Sequence, residues 1–431
     1  MLPVWLSDIR GALLALAAAC LASLGGVHCK HLLVSLSWIC ASGLTFSVGF
    51  YVHTTRTVFN RQPTFNLKTY WSHVMVTRPL ETLWRFATFP LRVVPDFHIL
   101  GEVRTGTTSL AAHLRSLGCC GPFSPWIIPL ASDKESFYFA GHYMGIVHPS
   151  AYRMCFPLKL TVWFRRKVLG QPCPVFDACA SHLNTPWTAS LLRCASPDAA
   201  LIVQLRPPAE QHISWWRLEM GAHIWARSMG MSQAFLPDNY PPRSFREAQE
   251  LSRSAQVEAL YQEGELIGKK FLAARGPLSR FSEAWVPQRL LPFPGGQLAA
   301  FAHMGRYADN IRRFSDLFGF KRIVIVETVN LAVPGGVGLA VRRLAALVPG
   351  VGNLQDRADD KAATAAVGGS GSQPQQLDRL NVAPVLPPEL EPTPDEVREV
   401  CAYYRADNVR LFELLGRDLG WNDTSKAAEG R

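Results

Sequence analysis

The sequence predicts an α/β domain with a P-loop-like central parallel sheet and helices on both faces. Three observations predict it. Short apolar runs near 97–100 (Phe97, Ile99, Leu100), 201–205 and 322–326 have strand length. They lack the polar alternation of a half-solvated sheet and so read as parallel strands covered on both faces. The first run passes through Gly101 into a helix-like run ending at Gly118, the strand–turn–helix order of a parallel α/β unit. Residues with anion-binding chemistry stand just past the first two runs, at the carboxyl ends where such sheets hold their ligands.

The first strand is followed by the turn Gly101-Glu102-Val103-Arg104-Thr105-Gly106-Thr107-Thr108-Ser109-Leu110. A tight glycine turn here exposes backbone N–H groups at a helix N-terminus, where the dipole favours an anion. Arg104 and the Thr107 and Thr108 hydroxyls add side-chain donors. A nucleotide-triphosphatase loop reads G-x-x-x-x-G-K-[ST]. Gly101 and Gly106 keep that spacing, but Thr107 stands in the lysine's place and the basic residue lies inside the loop. Magnesium–ATP chemistry is therefore disfavoured, and a phosphate or sulfate cradle is expected. A glycine-bearing turn also forms without any ligand, so two further segments matter.

The second strand, Ala200 to Leu205, is stopped by Arg206-Pro207-Pro208, and Ser214 follows at the head of a Trp-rich helical segment (Trp215, Trp216, Trp225). Arginine's planar fork suits a phosphate, and a serine near a helix start supplies another donor. Alone, Arg206 reads more commonly as a solvated strand end. The other segment is Lys134-Glu135-Ser136-Phe137-Tyr138-Phe139. A Lys–Glu neighbour pair is ordinarily a solvated surface pair. Beside an aromatic triplet that enters a core, its carboxylate gains a raised pKa and can serve as a base.

In order and spacing, these segments resemble PAPS-dependent sulfotransferases, closest in motif style to the Golgi carbohydrate and heparan sulfate enzymes. The loop resembles their 5′-phosphosulfate motif, G-x-x-[KR]-x-G-[TS]-[TS]. Arg206 with Ser214 resembles the 3′-phosphate motif, and residues 134–139 resemble the K-E-x-x-[FY]-F element. The likeness continues through His303-Met304-Gly305-Arg306-Tyr307, an amphipathic helix (Ile311, Phe314, Leu317, Phe318) and a third strand ending at Glu327. Arg379-Leu380-Asn381-Val382 and Tyr403 to Trp421 resemble the closing elements.

The resemblance implies a sulfotransferase-like domain over 95–424, matching poorly between about 217 and 300, with a flexible insert near 350–378 and a tail at 425–431. It implies PAPS as donor, no metal, and transfer to a hydroxyl or amine of a glycosaminoglycan-like carbohydrate. A small-molecule alcohol or amine acceptor, or a non-catalytic nucleotide- or glycan-binding relative, are the alternatives. Glu135 is implied as the base and Lys134 as a helper at the sulfonyl group. Arg104 would stabilise charge on the departing nucleotide, where most relatives carry lysine; arginine cannot give up its proton, so its role is electrostatic. Thr105, Gly106, Thr107, Thr108 and Ser109 would hold the 5′-phosphosulfate, and Arg206 and Ser214 the 3′-phosphate. His182 is a competing base, read here as structural. Arg342 and Arg343 are the nearest substitutes for a basic loop over the nucleotide.

The chain has 431 residues, 48% of them hydrophobic, and a net charge of +10, which suits an anionic donor and a polyanionic acceptor. No basic cluster interleaved with aromatics appears, so a nucleic-acid partner is disfavoured. Residues 1–55 read as an anchor region and 56–94 as a stem. Apolar stretches at 11–26 and 31–52 have signal-anchor and membrane-spanning length. Arg56 and Arg61 after the second stretch favour a cytosolic side there. The resemblance favours the opposite, a single-pass type II Golgi protein with a lumenal domain; two spans remain the alternative. Ten cysteines show no C-x-x-C pair, so no metal site is expected, and one or two disulfides or buried thiols are both open. Asn422-Asp423-Thr424 is a glycosylation sequon.

Overall fold

Four parallel strands in the order β2-β1-β3-β4 form the centre of the computed structural model. It describes residues 81, 84–85, 87–123, 134–136, 138–139, 149–228, 244–273, 301–331, 336–348, 351 and 384–422. In chain order the elements are β1 (Phe97–Gly101), α1 (Thr107–Ser116), α2 (Lys159–Lys167), β2 (Phe176–Asp177), α3 (Thr188–Ala195), β3 (Ala200–Leu205) and α4 (Pro208–Ser228). They continue with α5 (Phe245–Ser252), α6 (Ala255–Ala273), α7 (Phe301–Met304), α8 (Tyr307–Phe318), β4 (Ile323–Glu327), α9 (Thr328–Leu331), α10 (Gly336–Ala345) and α11 (Pro394–Leu415).

The three expected strands are present, and their side chains alternate between two cores. Phe97, Ile99, Ile202, Val324 and Val326 pack on α1 and α10. Leu100, Leu201, Val203 and Leu205 face the other way, against Leu191 and Leu192 of α3 and Ile311 and Phe314 of α8. A strand with both faces covered is apolar along its whole length, which is why these runs were readable. Because β2 lies on one side of β1 and β3 on the other, the chain reverses direction at β1, and the crevice outside the carboxyl ends of β1 and β3 is the expected ligand position.

Residues 245–273 form two helices, α5 and α6, separated at Arg253-Ser254. Glycines in α6 are costly in a helix interior, yet they serve a close approach. A Cβ on Gly264 would lie 2.5 Å from Pro186 Cγ, and one on Gly268 would lie 3.1 Å from Trp187 Cα. The helix is thereby seated on Trp187, whose Nε1 donates to the Phe139 carbonyl at 2.9 Å.

The last residues of the stretch read as a stem are docked on the domain. Arg92, 3% exposed, donates to the Phe156 carbonyl at 2.8 Å and to Thr88. Among the described residues no helix is long and apolar enough to cross a membrane. The apolar stretches at 11–26 and 31–52, the insert beyond Val351 with Arg379 to Val382, and Thr424 of the sequon lie outside the described residues. Asn422 is described, and its side-chain oxygen accepts from Asn408 Nδ2 at 3.0 Å.

Candidate active site

The turn after β1 is held open by its neighbours. Arg104 has φ 70°, a left-handed conformation costing a non-glycine residue about 1–2 kcal/mol. Several bonds hold it. The Thr105 hydroxyl donates to the Glu102 carbonyl at 2.8 Å, and the Thr328 hydroxyl donates to the Thr105 carbonyl at 2.6 Å. Gln211 Nε2 donates to the Val103 carbonyl at 3.0 Å, and Arg206 Nη1 to the Arg104 carbonyl at 3.1 Å. Gly106, φ 92°, is the N-cap of α1. Lacking a side chain, it cannot cap the first-turn N–H groups, which leaves them available to an anion.

Arg104 and Arg206 converge on this turn from β1 and β3, as the sheet order requires. Arg104 Nε donates to Ser214 Oγ at 2.9 Å, so three of the residues expected to serve the donor, Arg104, Arg206 and Ser214, are one connected group. Ser214 sits farther along its helix than expected, because Pro208 already starts α4. Pro207 and Pro208 stop the strand and start the helix at once, since proline suits the first helical turn. Burial, and then the charge of Arg206, pull the Arg104 guanidinium below its usual pKa. Two guanidinium groups bearing on each other make a site where an anion is favoured.

Lys134 and Glu135 reach the same turn from a different segment. Lys134 Nζ donates to Thr107 Oγ1 at 3.4 Å and is ion-paired with Glu135 Oε1. Both residues are buried, Glu135 at 8% exposure. Burial pushes the Glu135 carboxyl above its usual range, against the opposing pull of Lys134. The expected entry of the aromatic residues into the core holds for Tyr138 and Phe139; Phe137 lies outside the described residues. Thr105 differs from its expected placement: its hydroxyl is spent inside the loop on Glu102, and the residue is fully buried. Thr107 is buried beside Lys134, Thr108 and Ser109 lie in the first turn of α1, and Arg342 and Arg343 are exposed on α10.

Two acidic residues of the site were not singled out in the sequence. Asp177, at the end of β2, is fully buried and accepts from Ser136 N at 3.0 Å, from Ser136 Oγ at 2.5 Å and from Tyr152 OH at 2.5 Å. The Lys134 carbonyl also accepts from Ala178 N at 2.7 Å, so the strand end clamps the Lys134–Ser136 segment on both sides of Glu135. Glu102, in the turn itself, is fully buried, and neither carboxyl oxygen has a partner among the described residues. Burial raises its pKa well above the usual range despite the charge of Arg313, which favours its neutral form beside a cationic loop.

His182 is fully buried against the Phe139 ring, and burial lowers its pKa to about 3. It is enclosed by core, in keeping with the structural reading. No metal ligands are expected from linear spacing; folding nonetheless brings His98, Asp177 and His182 to within 4.8 Å of one another. The Asp177 oxygens are taken by Ser136 and Tyr152, and His98 Nε2 is 2.7 Å from Ser196 Oγ. Asp177 is thus committed to protein partners, whereas His98 Nδ1 and both ring nitrogens of His182 have none among the described residues.

No family model and no curated protein matches the chain. Among solved structures, the chain is similar to a crystal structure of a sulfotransferase from Alicyclobacillus acidocaldarius. The two share 19% identity over 76% of this chain and 99% of that one, with a TM-score of 0.38. A likeness this loose assigns neither family nor activity.

Proposed function

We propose that this protein is a PAPS-dependent sulfotransferase acting on a hydroxyl or amine of a glycosaminoglycan-like carbohydrate. One observation carries the reading: a glycine turn at a helix N-terminus on which Arg104, Arg206, Ser214 and the Lys134–Glu135 pair all converge. The turn amides and Thr107 would hold the 5′-phosphosulfate, and Arg206 with Ser214 the 3′-phosphate. Glu135 takes the acceptor proton as the new S–O bond forms. The bond from sulfur to the bridging phosphate oxygen breaks, and PAP leaves with its charge stabilised by Arg104 and Lys134. Positioning and electrostatics supply most of the rate, as in phosphoryl transfer. The N-terminal apolar stretches would anchor the chain in the Golgi membrane with this domain in the lumen.

The test is sulfate transfer from radiolabelled PAPS to heparan- and chondroitin-type acceptors by the full chain and by Glu135→Gln. Labelled polysaccharide from wild type, reduced roughly 10²–10⁴-fold in the variant, is the expected result. Full activity in Glu135→Gln would remove Glu135 as the base. Transfer only to small alcohols or amines would overturn the carbohydrate acceptor.

A further inference from the structure

We propose that Cys120 and Cys173 form a disulfide that ties the exit of α1 to the entry of β2. Their sulfurs are 3.0 Å apart. The backbones that carry them are already paired as an extension of the sheet: Cys120 N donates to the Pro174 carbonyl at 2.8 Å, and Phe176 N donates to the Cys120 carbonyl at 2.9 Å. A disulfide needs sulfurs at about 2.05 Å with side chains directed at each other, so closing this pair requires a shift of about 1 Å. The sheet's two faces decide the partner. Cys119 packs among Phe97, Ile99 and Phe176, whereas Cys120 and Cys173 pack on the opposite face.

Chemistry selects the same pair. Arg165 Nη1 points at Cys120 Sγ from 3.1 Å. The Cys173 thiol donating to it and the Arg165 charge bring the Cys120 thiol down to about 7, against the effect of burial. Burial instead pushes Cys119 up to about 12, and it also raises Cys155, Cys179, Cys194 and Cys401. Cys120 is half-buried, while Cys173 is buried.

The oxidant is a low-molecular-weight disulfide such as oxidised glutathione. The Cys120 thiolate attacks one of its sulfurs, forming a mixed disulfide and expelling a thiolate. That thiolate takes the Cys173 proton, and the Cys173 sulfur then displaces the second thiol from Cys120. Two protein thiols are oxidised, and one small disulfide is reduced to two thiols. The bond would close the loop that contains Lys134 and Glu135, just upstream of Asp177.

The full chain is treated with oxidised glutathione, alkylated, and digested without reduction for mass spectrometry. A cross-linked peptide pairing Cys120 with Cys173 is expected, present in Cys119→Ser and absent in Cys120→Ser, together with a higher melting temperature for oxidised wild type than for reduced. If both residues of oxidised wild type are recovered alkylated, or if the cross-link persists in Cys120→Ser through Cys119, the proposal is overturned. Neither readout depends on the sulfotransferase reading.

Discussion

Asp177 holds the Lys134–Glu135 segment in place, and its removal has a calculable cost. Asp177→Ala strips the acceptor from three donors, Ser136 N, Ser136 Oγ and Tyr152 OH, all on buried residues. The Ser136 and Tyr152 hydroxyls can turn to each other, but the Ser136 amide is fixed by the backbone. Each orphaned buried donor costs about 1–3 kcal/mol, more when the lost acceptor was charged. Removing one member of a buried charged network typically costs about 3–5 kcal/mol, and a loss of that size is expected. That corresponds to a melting temperature lower by on the order of 10 °C. Asp177→Asn keeps the shape and one acceptor oxygen, so its loss should be smaller. The assay is thermal unfolding of both variants, with sulfate transfer and PAP affinity measured at a temperature where both are folded. Transfer should fall more than PAP affinity does, because Asp177 touches the Lys134–Ser136 segment and not Arg104 or Arg206. An Asp177→Ala protein with unchanged melting temperature and turnover would refute this reasoning.

Other outcomes follow from the same geometry. Lys134→Met removes the charge that opposes the raised pKa of Glu135; since the base must be ionised, the acidic limb of the rate–pH profile should move to higher pH. Burial raises the pKa of Glu102 in the folded protein, so the native state binds its proton more tightly than the unfolded chain does. Its contribution therefore weakens the fold as pH rises above its unfolded value of 4.5. Chemical denaturation should accordingly show Glu102→Gln more stable than wild type at pH 7 to 8, with the difference shrinking toward pH 4. Gly106→Ala places a Cβ at φ 92° with no contact closer than 3.5 Å, so its cost is conformational, about 1–2 kcal/mol, and it should weaken donor binding.

β1, β3 and β4 were legible because strands buried on both faces carry continuous apolar runs, and their observed bounds fall within a residue of those expected. β2 was not, because it is two residues long and one of them is a buried aspartate, which reads locally as a break. The turn, Arg206 and Ser214 were legible through spacing, and a parallel sheet brings the ends of neighbouring strands together. The start of α4 was misjudged, since Pro207-Pro208 was read as a stop alone. Asp177 carried no signal, because its partners Ser136 and Tyr152 lie in other segments and only folding joins them. Glu102 occupies an unspecified position of the loop motif, and the groups that interact with it electrostatically, Tyr261, Tyr307 and Arg313, come from distant helices.

The central claim is that the β1 turn with Arg206 and Ser214 forms a site for the 3′-phosphoadenosine donor. Calorimetric titration of PAP into the full chain, beside an Arg206→Ala, Ser214→Ala double variant, tests it most directly. Micromolar binding by wild type, lost in a double variant that melts at a similar temperature, is the expected result. A folded wild type that takes up no PAP, or a double variant that binds it equally well, would contradict the claim.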